Sequence, residues 1–424
     1  MPTSSTASRA AAFSLPVFDV TFAISPPMVS PSFFSPAVAP AGSLSMRTAP
    51  VGTARGGEGV GRRTAGGAAP REYIGQALKA LVMHEVGHTL GLRHNFRSSF
   101  DTPLERLSDR GWAETLATGV TAIRDTVLPV GNVADPWAEY QKGVAEKKNI
   151  FNANPDYLLM VRNAADILKA KREKKLGVIL GTQDTAMVGP ELDRLAQMKK
   201  DGVLTVQLTY NNRNLAGDGA LEPANAGLSK LGRATIERIE TEKLLLDLSH
   251  GGARTMADAA AHAKRPLVIS HTASRALTDH PRNTSDETIK AVADKGGVVG
   301  VYFMPFLTLD SKPKGDDLLH HVEHVANVAG EDHVGIGTDN GPLPMLLDAE
   351  AKERLRKWAL ERIKAGIAAP GEGVDVYPMV ADYNSVDRYR RFAEDLRKRG
   401  WSEARLEKLM GGNFLRVYRE AWGG

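Results

Sequence analysis

An α/β fold of the (β/α)8-barrel kind is predicted for this chain, on two observations. From about residue 119 onward, short apolar runs alternate with amphipathic helical segments. Three of those runs end in a residue type that ligates metals: LLLDLSH at 244–250, LVISH at 267–271 and VGIGTD at 334–339. The alternating order places parallel strands inside and helices outside. Parallel strands deliver the residues at their C-terminal ends to one shared face, so three convergent ligand types there suggest a metal-centred hydrolase.

The chain has 424 residues, enough for one large barrel plus an extension. Residues 1–70 are dominated by Ser, Pro, Ala and Gly, a composition that buries little core and predicts disorder. Within it, 18–24 (FDVTFAI) reads as a single strand and is a candidate for an unfilled barrel slot. Residues 71–100 form a second region, a helical fragment in which Ile74, Leu78, Leu81, Val82 and Val86 recur at helical spacing until Gly91 ends it.

Residues 101–424 are expected to form the barrel. Strands are predicted at 119–127, 176–183, 203–210, 244–250, 266–271, 298–304 and 334–339. Helices are predicted at 191–200, 228–243, 255–264, 285–295 and 316–328. This is one strand short of a closed barrel, and the missing first unit is expected before Gly119.

Composition excludes several functions. The chain has no cysteine, so any metal must use His, Asp, Glu or their neutral relatives. A net charge of +4 without a Lys/Arg block interleaved with aromatics gives no support for nucleic-acid binding. No apolar run reaches the roughly 18 residues of a membrane span. The N-terminus, with one early Arg and an Asp inside its apolar stretch, is a poor signal peptide. A soluble protein of undetermined compartment is expected, and the oligomeric state stays open.

The strand-end candidates are His250, His271 and Asp339, with Gln183 at the end of the second predicted strand. One strand-end histidine alone can simply satisfy backbone groups; three such ends in one architecture are what a metallohydrolase needs.

From Gly119 to the C-terminus the chain resembles the membrane (renal) dipeptidase family of zinc metallopeptidases. The resemblance rests on DLSH (247–250), ISH (269–271), PRN (281–283), VGIGTDNG (334–341) and GGNFLRV (411–417). It implies a TIM-like barrel with a binuclear zinc site that hydrolyses dipeptides. By position, His250 and His271 match ligands of one zinc. Asp339 matches a ligand of the other, with an acid/base role. Arg282 matches the residue that holds the substrate carboxylate. Three departures stand out. The family's first-strand His-x-Asp pair is not found before Gly119, Gln183 replaces a bridging Glu, and Tyr210 replaces a substrate-facing His. A neutral amide balances two dications poorly, so one zinc fits better than two. Tyr210 can still donate to a developing oxyanion.

A second motif, HEVGHTLGLRH at 84–94, carries a different metal chemistry. His84 and His88 are one helical turn apart, Glu85 projects as a general base, and Gly91 allows the turn that returns His94 as third ligand. It resembles the metzincin zinc endopeptidases. A further zinc is expected there if the fragment is supported. Upstream sheet and downstream Met-turn are lacking, so the segment reads as a fragment joined to the barrel near residue 100.

The helix at 316–328 also carries His320, His321, Glu323 and His324, without a third ligand or a turn. It reads as a solvated helix with no metal role. Three functions follow: a dipeptidase-like hydrolase acting on dipeptides or small peptides, a metzincin-type endopeptidase, and a barrel that binds peptides without turnover.

Overall fold

The computed structural model describes Thr21–Phe22, Thr115, residues 118–130 and residues 133–423. The 71–100 fragment, with His84, Glu85, His88 and His94, lies outside the described residues. Strand β1 (Thr21–Phe22) is part of the 18–24 segment singled out above.

Strand β2 (Ala122–Thr126) is followed by helix α1 (Pro136–Ala153), β3 (Leu158–Met160), α2 (Ala164–Glu173) and β4 (Leu176–Thr182). The order continues as α3 (Arg194–Asp201), β5 (Val203–Gln207), α4 (Lys230–Thr241) and β6 (Leu245–Asp247). Then come α5 (Ala253–His262), β7 (Val268–Thr272), α6 (Asp286–Asp294), β8 (Val298–Val301), α7 (Gly315–Ala329) and β9 (Val334–Ile336). Four helices close the chain: α8 (Ala349–Lys364), α9 (Arg388–Lys398), α10 (Glu403–Glu407) and α11 (Asn413–Trp422).

All seven strands and five helices predicted from the sequence are present. The eighth parallel strand is β3, not a segment before Gly119. It pairs with β4 through Leu158↔Leu176 and Met160↔Val178. The ladder runs β2-β4-β5-β6-β7-β8-β9, all parallel. β1 is antiparallel to β2 and lies beside β9. The result is a curled, TIM-like sheet with helices outside.

Local chemistry explains the helix starts. Asp135 accepts from the Ala138 amide ahead of Pro136, Asn163 accepts from Asp166, and Ser229, Ser285 and Asp348 cap α4, α6 and α8 in the same way. The strands are buried on both faces, as parallel strands between a core and a helix layer must be. Their apolar runs are therefore continuous, not alternating.

The N-terminal end of the sheet is plugged. Phe414, Val417, Tyr418 and Trp422 of α11 pack with Ala122, Ile179, Leu204, Leu245, Val268 and Val298 from six strands. Asn413 donates to the carbonyls of Glu331 and Val334, and the Trp422 indole donates to that of Leu204. The GGNFLRV signature thus closes the bottom. Inside the barrel, Arg124 passes over Gly181, where a β-carbon would sit 3.1 Å from the guanidinium. The opposite end, where the strands finish, is the mouth.

Candidate active site

Each candidate ligand sits at the C-terminal end of its strand or just beyond it. Gln183 follows β4, Tyr210 and His250 lie three residues past β5 and β6, His271 is within β7, and Asp339 lies three residues past β9. His250 and Asp339 both occupy the left-handed backbone region, with φ of 63° and 57°. A β-carbon resists that conformation, so surrounding structure must hold it. The outcome is convergence: ligand atoms of His250, His271 and Asp339 lie within 4.8 Å of one another.

Neighbouring side chains fix which imidazole nitrogen faces the mouth. The Asn211 amide nitrogen donates to the Ile367 carbonyl, which turns its oxygen toward His250 Nδ1 at 2.6 Å. An amide oxygen only accepts, so the proton sits on Nδ1 and Nε2 keeps its lone pair. His271 is set by a longer chain. Asp247 accepts from the Ser249 and Ser270 amides and from both hydroxyls. With its hydrogen committed to Asp247, the Ser270 hydroxyl can only accept from His271 Nδ1, 2.9 Å away. His271 Nε2 is buried and has no hydrogen-bond partner among the described residues.

Electrostatics keep both rings neutral. Burial pushes the pKa of His250 and His271 well below 6.5, and the Arg282 guanidinium adds to the effect. Two neutral imidazoles and one carboxylate make a donor set suited to a single divalent ion.

The mouth opens into a cleft lined by Gln183, Tyr210, His250, Arg282 and Asp339 together with an apolar wall that includes Met304, Leu355 and Trp358. Arg282 is buried, and its Nε and Nη2 have no hydrogen-bond partner among the described residues. A buried guanidinium with open donors is a receptor for an anion. Tyr210 stacks on His250, with ring centroids 4.2 Å apart. Burial raises the phenol pKa, against a smaller opposing effect of Arg362, so the hydroxyl stays protonated.

The first strand brings no ligand to this group. Arg124 turns inward to Asp247 at 3.4 Å, Asp125 pairs with Lys147 at 2.9 Å, and Val127 is part of the apolar core. The departure noted in the sequence therefore has a structural counterpart in a strand that is present.

A model of the membrane dipeptidase family (peptidase family M19) matches residues 138–366 and 362–422. The chain belongs to the membrane dipeptidase family. A Met-zincin family model matches residues 66–129, a span that includes the HEVGHTLGLRH motif and runs through β2. Dipeptidase tcpJ of Claviceps purpurea (strain 20.1) is 26% identical over 64% of this chain, which spans 57% of that protein. A crystal structure of an amidohydrolase from Pseudomonas aeruginosa is 30% identical, with a TM-score of 0.66, covering 75% of this chain and 94% of the other. A metallopeptidase from Rhodobacter sphaeroides, liganded with a phosphinate mimic of the dipeptide L-Ala-D-Ala, has a TM-score of 0.62 at 17% identity, covering 81% and 97%. Membership of this metallopeptidase family implies a metal, and the donor set above fits one.

Asp184 accepts from the Ala186 amide and the Asn214 side chain, and Asp218 is held by Arg213, so both serve local turns. The histidine-rich α7 corrects one expectation. His320 is exposed, but His321 is buried, accepting at Nδ1 from the Ser274 amide and donating from Nε2 to the Leu307 carbonyl. It is a packing residue, not a solvated one. His324 pairs with Asp286 at 2.8 Å. Among the described residues no helix is long and apolar enough to cross a membrane.

Sequence reasoning missed Asn211, Ser270 and Asp247 as orienting groups, although all three stand in or beside the quoted strand ends. It also missed Arg362, which carries no signal within a helix as charged as AKERLRKWALERIK, and Glu372, which lies in the loop after it.

Proposed function

We propose that the chain hydrolyses dipeptides in the barrel mouth, with a single zinc ion held by His250, His271 and Asp339. The observation that carries this reading is the convergence of those three ligand atoms beside the open donors of Arg282. The donor count favours one ion. Gln183 offers a neutral amide where two dications would require a bridging carboxylate, and the end of β2 offers no ligand to this group. The dipeptidase relative supports the substrate class.

When bound, the ion supplies Lewis acidity, polarising a carbonyl and acidifying water. The protein's own groups do the rest. Arg282 takes the substrate's terminal carboxylate in its forked guanidinium and so places the scissile carbonyl over the ligand cluster. Tyr210 donates its hydroxyl hydrogen to the carbonyl oxygen as negative charge develops there. Asp339 accepts a proton from the attacking water and returns it to the leaving amine. Met304, Leu355 and Trp358 offer an apolar wall to the substrate side chain.

Zinc-supplemented turnover of a panel of free dipeptides and their C-terminal amides tests this. Free dipeptides should be cleaved with kcat/KM higher by about 10–100-fold, the worth of one charge-assisted contact. Equal rates on both would remove Arg282 from the role, and no turnover of any dipeptide would leave a peptide-binding barrel.

The Met-zincin match favours a second activity, a zinc endopeptidase centred on His84, His88 and His94 with Glu85 as base. It calls for cleavage of long unfolded chains that is lost in Glu85→Ala.

A further inference from the structure

The helix that follows the last strand reaches back over the mouth and places one buried cation against Tyr210. Arg362 of α8 donates from Nη1 to the Tyr210 hydroxyl at 3.0 Å, across 152 residues of sequence. The guanidinium is itself fixed on three sides. Nε and Nη2 form a fork onto Glu372 at 2.6 and 2.9 Å, Nη2 also donates to the Ile367 carbonyl, and the Trp358 ring lies 4.9 Å beneath. Both charges are buried, with each side chain 9% exposed.

A phenol hydroxyl has one hydrogen to give and lone pairs to receive, whereas a guanidinium can only give. Arg362 therefore occupies an acceptor lobe of Tyr210. The hydroxyl hydrogen must point elsewhere, and no acceptor for it exists among the described residues. The ring cannot swing to find one, because it is stacked on His250. What remains in front of the hydroxyl is the cleft.

We propose that Arg362, held by Glu372, is a positioning residue that locks the Tyr210 hydroxyl as a hydrogen-bond donor aimed at the substrate. The inference rests on the reading of Tyr210 as the oxyanion donor and assigns the group that orients it. A donor fixed in advance is worth more in the transition state than one that must reorient. Glu372 keeps the guanidinium from turning to the substrate carboxylate, so Arg282 and Arg362 divide two tasks that either cation might otherwise confuse. Removing Arg362 should thus lower kcat and leave KM nearly unchanged.

The test is a double-mutant cycle on dipeptide turnover in the full-length, zinc-supplemented protein, with thermal melts run in parallel. Arg362→Gln alone would strand a buried carboxylate, so the main variant is Arg362→Gln with Glu372→Gln, which leaves no unpaired charge. Arg362→Lys, which keeps a cation for Glu372 but cannot fork and also reach the phenol, is the second. Tyr210→Phe should lower kcat by about 100-fold or more, as loss of an oxyanion donor does. Each Arg362 variant should lower kcat by roughly 10-fold or more in the Tyr210 background, and by less than about 2-fold in the Tyr210→Phe background, since coupled residues do not add. A structural role would instead give equal losses in both backgrounds, and that result overturns the proposal. A Tyr210→Phe effect accompanied by Arg362 variants that match wild type also overturns it, while sparing the dipeptidase reading. Absence of turnover in the wild type would sink both.

Discussion

His271 is a ligand candidate because of what surrounds it. The ring sits beyond reach of solvent, its Nδ1 hydrogen is given to Ser270, and its Nε2 lone pair is left facing the mouth. Four buried histidines share one electrostatic condition. Burial is the leading cause that lowers the pKa of His250, His271, His280 and His321 below 6.5. In the unfolded chain these groups protonate at ordinary values, so on acidification the unfolded state takes up protons that the folded state refuses. Their contribution to stability is complete above the unfolded pKa and is lost as pH falls through and below 6.5. The metal-stripped protein should therefore melt at progressively lower temperature between about pH 7 and about pH 5. A melting temperature that stays level or rises over that interval would contradict the assignment of neutral, buried rings.

Among the elements, β2 departs most from what the rest of the barrel suggests. It takes its place in the sheet, yet its end carries Arg124, Asp125 and Val127 where the family resemblance leads one to look for ligands. Arg124 instead completes the cage around Asp247, whose carboxylate orders Ser249 and Ser270 and, through Ser270, His271. Asp247→Ala would remove a buried carboxylate from beside a buried cation and from the two serines it orders, and should cost about 3–5 kcal/mol in chemical denaturation. Arg124→Met with Asp247→Leu should recover much of that loss in stability while still impairing metal retention. If Asp247→Ala is neutral, the network is ornamental.

A different strand, β3, marks where the sequence stopped being readable. Strands such as Leu176–Thr182 and Val298–Val301 announce themselves as continuous apolar runs because parallel strands bury both faces. β3 has only three residues, and the apolar run around it (157–161, YLLMV) is too short for periodicity to tell a strand from a buried piece of helix. His250, His271 and Asp339 were legible because strand ends converge by topology. Arg362 and Glu372 reach the site from a helix and loop beyond the last strand, and nothing in local periodicity says which of many arginines folds inward. Asn211 and Ser270 were visible as residues, but their service as tautomer locks depends on hydrogen-bond geometry.

At the scale of the whole molecule, the barrel has one plugged end and one open end. α11 fills the bottom with aromatic rings, so chemistry is confined to the mouth. The chain also joins two family matches, Met-zincin over 66–129 and membrane dipeptidase from 138 onward, and β2 falls within the first. A first strand matched by a different family is consistent with a mouth that lacks the first-strand ligands and retains the later ones. The proposed hydrolysis takes place in the barrel. The most direct test is chelator-sensitive dipeptide turnover measured side by side in wild type, His271→Ala and Glu85→Ala. That placement predicts activity in wild type and Glu85→Ala and none in His271→Ala. Activity that survives in His271→Ala and disappears in Glu85→Ala would place the chemistry in the upstream motif and contradict it.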